Sequence, residues 1–131
     1  MALMQIFLSY TGSEEAYAKS LASQLEKRGF SVWTDAEVLP GDNPWLQTGK
    51  ALEKSRAMVV LLSPDSVRSE SVRREIEYAL GDPKFEDRLF PVVVRPTRDI
   101  PWILRRYMKS DSRQDAAKVS ESIANALKEA V

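Results

Sequence analysis

The sequence contains neither cysteine nor histidine among its 131 residues. Their absence excludes a Ser-His-Asp triad, a cysteine nucleophile, an imidazole acid or base, and the usual zinc ligands. Glycine-rich phosphate loops of the Walker or dinucleotide-fingerprint type are missing as well. Any catalysis must therefore use carboxylates, hydroxyls, amines, guanidinium groups or the backbone, and we expect neither a metal ion nor a bound cofactor.

The sequence also lacks an excess of charge of either sign and any long apolar run. Lys+Arg and Asp+Glu number 19 each, which gives no reason to expect nucleic acid or an anionic membrane as a partner. No segment is long enough to span a bilayer, and the first residues do not have the pattern of a signal peptide. The 44% hydrophobic content is ordinary for a soluble protein, and the length fits one domain over residues 1–131. The absence of cysteine fits a reducing cytosol, so we expect a cytoplasmic protein.

Apolar strand patterns alternate with amphipathic helix patterns along the chain. This alternation is typical of a parallel sheet that helices cover on both faces. We therefore predict an α/β fold, a flavodoxin-like three-layer sandwich with a five-stranded parallel sheet. The predicted strands are 5–9, 30–34, 58–62, 88–94 and a weak edge strand at 107–110. The predicted helices are 13–28, 45–56, one that carries Glu75 and one from Ser112 onward, with a helical turn at 100–105.

Polar side chains follow three of the predicted strands directly. In a parallel sheet the carboxyl ends of the strands share one edge, and ligands bind there at the point where the strand order reverses. We therefore expect these side chains to lie near one another, together with the start of the Glu75 helix. They are Ser9, Tyr10 and Thr11 after the first strand, Trp33, Thr34 and Asp35 at the end of the second, and Ser63 after the third.

Glu75 lies on the margin of an apolar helical stripe. Residues advance about 100° each in a helix, so Val72, Ile76, Ala79 and Leu80 share one face and Glu75 borders it. Ser71 and Tyr78 lie in line with Glu75, one turn before and one turn after it. A helical glutamate is usually a solvated surface charge. At this position, however, the carboxylate can be held by the core and still reach a cleft.

Four motifs in the same order resemble those of Toll/interleukin receptor (TIR) domains. The stretch Ile-Phe-Leu-Ser-Tyr at 6–10 is similar to the first strand of that family. The stretch at 29–35 and the Leu-Pro-Gly-Asp turn at 39–42 are similar to the second strand and the loop after it. Residues 61–64 and the Val-Arg-Arg-Glu-Ile stretch at 72–76 are similar to the third strand and the next helix.

The resemblance implies an enzyme that cleaves NAD+ as its substrate, into nicotinamide and ADP-ribose or a cyclic isomer of it. It implies Glu75 as the catalytic glutamate, Trp33 as an aromatic against the substrate, and Ser9, Tyr10, Pro40 and Gly41 as the pocket rim. We name further candidate substrate contacts because we expect them to lie near these residues. They are Thr11, Asp35, Ser63, Ser71 and Tyr78. The resemblance further implies a homo-oligomer and a role in antiviral signalling, in which a nucleotide product reaches a separate effector.

Two positions depart from the family pattern. Ser71 stands where enzymatic members often have tryptophan, and Thr11 and Gly12 stand where some have arginine. These departures concern the pocket wall beside the carboxylate and the contacts to the diphosphate.

The chemistry of NAD+ suits a chain with so few reactive groups. Ordinary glycosidases need two carboxyl groups because a sugar alkoxide must be protonated as it leaves. Nicotinamide is cationic when bound and departs neutral, so one anion that stabilises the cationic ribose suffices. Two other functions stay open, a non-enzymatic TIR module that self-assembles and an FMN binder, because the hydroxyl-rich stretch 9–13 also resembles the phosphate loop of flavodoxins.

Overall fold

A computed structural model describes residues 3–109 and 113–129. Its sheet has four strands in the order β2-β1-β3-β4, and every pairing between neighbours is parallel. The strands are β1 (Gln5–Ser9), β2 (Ser31–Trp33), β3 (Ala57–Leu62) and β4 (Leu89–Val93). The helices are α1 (Glu15–Lys27), α2 (Pro44–Lys54), α3 (Glu70–Gly81) and α4 (Ala116–Glu129).

Helices cover both faces of the sheet, which confirms the predicted three-layer architecture. Alternate residues of β1 point to opposite faces, so Ile6 and Leu8 join one core while Phe7 joins the other. The first core is packed by α1 and α4, and the second by α2 and α3. The central strand β3 is buried at every residue, as its continuous apolar run requires.

The prediction of a fifth strand was wrong for the residues that the structure describes. Tyr107 belongs to a 3-10 helix, Trp102–Tyr107, and Ser110 lies outside the described ranges. Leu104 is fully buried and Tyr107 packs against the same core, three residues later. That spacing fits the three-residue turn of a 3-10 helix, whereas a strand would turn the two side chains to opposite faces. The predicted start of the last helix, Ser112, also lies outside the described residues.

The order of the strands creates a crevice between β1 and β3. The chain leaves β1 toward β2 on one side and later returns to β3 on the other side of β1. The connections after β1 and β3 therefore leave in opposite directions, and this is the place where open α/β sheets bind ligands. Over the described ranges, none of the helices has the length and apolar character that a membrane crossing requires.

Candidate active site

Glu75 belongs to α3, and its side chain is buried at the carboxyl edge of the sheet. The side chain of Ser69 caps α3 by accepting a hydrogen bond from the Val72 amide at 3.2 Å, which sets the phase of the helix. Glu75 is only 8% exposed, so it lies deeper than the margin position that its helical spacing predicts. Its Oε1 accepts a hydrogen bond of 2.6 Å from the hydroxyl of Ser9, the last residue of β1. The bond therefore joins α3 to the crevice between β1 and β3.

The surroundings of Glu75 favour its neutral form. Burial raises the pKa of Glu75 to about 7, the Ser9 hydrogen bond opposes that rise, and the negative charge of Asp35 adds to it. Burial also raises the pKa of Asp35. At neutral pH the Glu75 carboxyl is therefore divided between its two protonation states. A cationic ligand beside it would favour the charged state.

A cleft of about 680 Å³ opens above Glu75. This volume lies within the range of small-molecule sites. The loop after β2, helix α2 and helix α3 form its walls, and most of the surface is apolar with a few convergent polar groups. The lining residues are Asp35, Val38, Pro44, Trp45, Thr48, Gly49, Leu52, Ser71, Arg74 and Glu75.

Three of the predicted site residues, Asp35, Ser71 and Glu75, line this cleft together, and Ser9 supports Glu75 through its hydrogen bond. Trp33 does not line it. Its ring stacks on Phe7 with centroids 5.0 Å apart, and it packs against the core on the α2 and α3 side.

The structure places Ser63 in a turn rather than in the cleft. Ser63 is fully buried and its hydroxyl accepts a hydrogen bond of 3.1 Å from the amide of Ser66. The Ser66 hydroxyl in turn accepts a hydrogen bond of 2.8 Å from the Ser63 amide. Its polar groups therefore stabilise the chain where it leaves β3.

Tyr10 and Tyr78 are not among the residues that line the cleft. Tyr10 packs against the α1 and α4 core, on the other face of the sheet. Tyr78 meets the ring of Phe85 edge-on, with centroids 6.2 Å apart, and is not among the residues that line the cleft.

Pro40 and Gly41 form an exposed turn in the loop that also carries Asp35. Leu39 accepts a backbone hydrogen bond of 3.0 Å from Asp42, and the Asp42 carboxylate accepts one of 3.0 Å from the Leu39 amide. Gly41 has a φ of 91°, which glycine adopts without strain. The turn therefore shapes the loop without lining the cleft.

Thr11 lies 3.3 Å from the hydroxyl of Ser13 in the exposed loop after β1. Ser13 donates its own hydrogen bond to the Asp65 carboxylate. A carboxylate facing these hydroxyls is unfavourable for a phosphate, which does not support the FMN-binding alternative.

Sequence reasoning missed the α2 side of the cleft, above all Trp45. Asn43 caps α2 by accepting a hydrogen bond of 3.2 Å from the Leu46 amide, and Pro44 occupies the first turn. These two residues fix Trp45 in the first turn of the helix, on the face that also presents Thr48, Gly49 and Leu52 to the cleft. The spacing of seven residues between Trp45 and Leu52, which places both on one helix face, was the available signal.

No group of three or more carboxylates in the described part of the chain is arranged to hold a metal ion. The site consists instead of one buried carboxylate, a second carboxylate in the same cleft, and an arginine at the mouth.

Taken together, the fold and the cleft define an α/β domain with a buried helical glutamate at the edge where the strand order reverses. The chain belongs to the TIR domain family, whose family model matches residues 6–128. The family prediction made from the four motifs is thereby confirmed.

One curated relative is described as a probable 2′ cyclic ADP-D-ribose synthase, TcpO, from Methanobrevibacter olleyae. It is 27% identical over 90 residues, which cover 67% of this chain and 26% of the relative. The match thus spans about a quarter of the length of that protein.

Several solved TIR structures share the fold. The TIR domain of the Toll-related receptor TRR-2 from Hydra magnipapillata has a TM-score of 0.72 at 17% identity and covers 95% of each chain. A TIR-STING receptor from C. gigas in complex with 2′,3′-cGAMP has a TM-score of 0.74 at 24% identity over 93% of this chain and 38% of the receptor. The TIR domains of the activated Roq1 resistosome have a TM-score of 0.59 at 22% identity over 94% and 71% of the two chains.

Proposed function

We propose that this domain cleaves NAD+ at the bond between nicotinamide and ribose, with Glu75 as the catalytic carboxylate. The observation that carries the proposal is the buried Glu75, 2.6 Å from the Ser9 hydroxyl, at a cleft of about 680 Å³. The activity in the name of the curated relative supports the same reaction class.

The proposed reaction needs one anion and no general acid. The bond between the ribose C1′ and the pyridinium nitrogen breaks, and its electron pair goes to the nitrogen, so nicotinamide leaves neutral. The ribose becomes cationic, and the Glu75 carboxylate stabilises that charge. Water then attacks C1′ and releases a proton, which gives ADP-ribose. Attack by a nucleophile of the same substrate molecule gives a cyclic product instead.

The environment of Glu75 suits this role. A carboxylate that burial and Asp35 destabilise gains most when a cationic group arrives, because the new charge relieves an unfavourable state. The Ser9 hydroxyl fixes the orientation of the carboxylate before substrate binds. Glu75 therefore acts as a preorganised counter-charge.

We also propose that the product of the reaction is a signalling molecule. A cyclic or linear ADP-ribose species would diffuse to a separate effector and serve as an antiviral signal. Support comes from membership of the TIR family and from the cyclic ADP-ribose synthase named among its relatives.

We further propose that copies of this domain associate to complete the site. The loop after β2 forms one wall of the cleft, and Leu39 in that loop is 65% exposed. The Roq1 structure, which shares the fold, is that of an assembled resistosome. The specific activity should then rise with enzyme concentration, and the substitution Leu39→Ser should weaken that rise. A strictly monomeric enzyme with constant specific activity would contradict the association.

Purified protein incubated with NAD+, with the products identified by mass spectrometry, tests the proposed reaction. We expect nicotinamide together with ADP-ribose or a cyclic isomer. Glu75→Gln should lower turnover by at least about 100-fold, because the counter-charge is lost while the shape is kept. Glu77→Gln, an exposed carboxylate two residues further along α3, is the matched control and should retain activity. Equal turnover in the two variants would contradict the role of Glu75. Assembly without any NAD+ consumption would favour the non-enzymatic alternative.

A further inference from the structure

Two side chains at the mouth of the cleft, Trp45 and Arg74, have no role in the reaction as proposed. Trp45 is 66% exposed, although tryptophan is highly buried in most proteins. The guanidinium carbon of Arg74 lies 4.8 Å from the centroid of the Trp45 ring. Because Trp45 belongs to α2 and Arg74 to α3, this cation–π contact joins the two walls of the cleft.

The charges of the cleft make Arg74 distinctive. Of the described residues that line it, Arg74 alone is cationic, while Asp35 and Glu75 carry carboxyl groups. A ligand with a cationic ring near Glu75 and negative charge elsewhere would match this arrangement. A guanidinium binds phosphate oxygens through parallel N–H donors, which makes Arg74 the group suited to a diphosphate.

Arg74 is available for such a contact. Its Nη2 donates to the Glu70 carboxylate at 2.6 Å, but the two side chains are 52% and 73% exposed. An exposed pair one turn apart on a helix contributes little to stability, so a diphosphate can replace Glu70 as the partner. The guanidinium has five N–H donors in all, and its carbon already lies over the Trp45 ring.

Ser71 leaves the α3 wall of the cleft without an aromatic side chain beside Glu75. This small side chain lines the cleft one turn before Glu75, at the position where the TIR resemblance implies tryptophan in enzymatic members. The space above Glu75 on α3 is therefore left open. Trp45 faces the same cleft from α2 and offers an indole in its place.

We infer that Trp45 and Arg74 form a dinucleotide-binding wall, in which Arg74 binds the diphosphate while Trp45 orients its guanidinium and stacks on a substrate ring. The identity of the ligand as a dinucleotide rests on the proposed function. Both residues bind substrate under this inference, and neither takes part in bond breaking.

Equilibrium binding of ADP-ribose, measured by calorimetry, tests the wall without relying on turnover. Arg74→Gln should weaken ADP-ribose binding by at least about tenfold, since a charge-assisted contact to the diphosphate is lost. Arg73→Gln, the adjacent exposed arginine outside the cleft, should bind like the wild type. In turnover of NAD+, Arg74→Gln should raise KM by a similar factor and change kcat by less than about twofold, which is the signature of lost ground-state binding.

Two substitutions of Trp45 measure the contribution of its ring to ADP-ribose binding. Trp45→Ala should weaken ADP-ribose binding by about three- to tenfold, and Trp45→Phe should restore most of it because a ring face remains. Trp102→Ala is the matched control, since Trp102 is 82% exposed and does not line the cleft.

Nicotinamide riboside separates a binding role from a general loss of function. It has the same scissile bond and no phosphate, so Arg74→Gln should lower kcat/KM for it by a smaller factor than for NAD+. NAD+ cleavage with KM and ADP-ribose affinity unchanged in Arg74→Gln would overturn this inference and leave the proposed function standing. Arg74-dependent binding of ADP-ribose without any cleavage of NAD+ would overturn the proposed function and support the wall. No binding of ADP-ribose by the wild type would overturn this inference, and the NAD+ cleavage assay would then decide the proposed function separately.

Discussion

The domain buries two glutamates near the carboxyl edge of its sheet and surrounds them differently. Glu14, in the 3-10 turn Gly12–Glu14 after β1, is 5% exposed, and its Oε1 lies 3.4 Å from the Nε of Arg95. Glu75 is 8% exposed, and its polar surroundings are the Ser9 hydroxyl and a second acidic residue, Asp35. Glu14 thus has a guanidinium group within ion-pair distance, although its Oε1 accepts no hydrogen bond from the described residues, whereas no described cation lies within ion-pair distance of Glu75.

This difference separates a structural carboxylate from a reactive one. A buried charge costs less free energy when an opposite charge lies beside it. A buried carboxylate without one is destabilised until a ligand supplies positive charge, and strongly shifted pKa values of this kind are concentrated at functional sites. The contrast therefore predicts that Glu75 reduces stability and supports activity, whereas Glu14 does neither.

Apart from the loss of activity, the largest expected effect is that of Glu75→Gln on the free energy of unfolding. The folded-state pKa of Glu75 is about 7 against an ordinary value of 4.5. Because the folded pKa is raised, the stabilising contribution of the neutral form is present below the ordinary value and is lost as the pH rises through about 7. Glu75→Gln should therefore be more stable than the wild type at about pH 8, by up to roughly 3 kcal/mol, and no more stable at about pH 4. Urea unfolding at the two pH values measures the difference.

Glu14→Gln is the control for that experiment. It removes a carboxylate of similar burial whose cation, Arg95, is 56% exposed and can turn to water. We expect a change in unfolding free energy below about 1 kcal/mol. A stabilisation of Glu14→Gln at high pH as large as that of Glu75→Gln would remove the distinction between the two glutamates.

A smaller effect is expected from the hydroxyl that holds Glu75. The Ser9 hydrogen bond lowers the pKa of Glu75 against the effect of burial. Ser9→Ala should therefore move the pH at which turnover rises to a higher value, with activity several-fold lower at about pH 7 and largely recovered at about pH 9. The pH dependence of kcat/KM for NAD+ is the measurement. A uniform loss of activity at all pH values would show that Ser9 contributes only to folding, and Ser9→Thr, which keeps a hydroxyl, should restore the profile.

Much of the fold could be predicted because the patterns that specify it are local. The apolar run of β3 and the stripe Val72, Ile76, Ala79 on α3 determine their elements, and both appear as predicted. Tyr107 was assigned to a strand wrongly because a short stretch with few apolar residues has no decisive period. Tyr107 packs against the same core as the fully buried Leu104, and that core contains residues far away in the sequence.

The candidate site was only partly predictable from strand ends. The rule that polar residues after parallel strands converge placed Ser9, Asp35 and Glu75 together, and the structure joins Ser9 to Glu75 directly. The same rule included Tyr10, which packs on the opposite face of the sheet, and Ser63, whose hydroxyl accepts a hydrogen bond within a turn. Position along a strand specifies the edge of the sheet, whereas the direction of each side chain depends on the loop that follows.

The sequence by itself determined the alternation of strands and helices, the family, and the one helical glutamate placed beside an apolar face. Only the tertiary structure decided that Glu75 is buried next to a hydroxyl, that Glu14 has a cationic partner, and that Trp45 faces Arg74 across the cleft. The physical reason is that hydrophobic periodicity acts over a few neighbouring residues, while the electrostatic state of a buried group depends on every element packed around it.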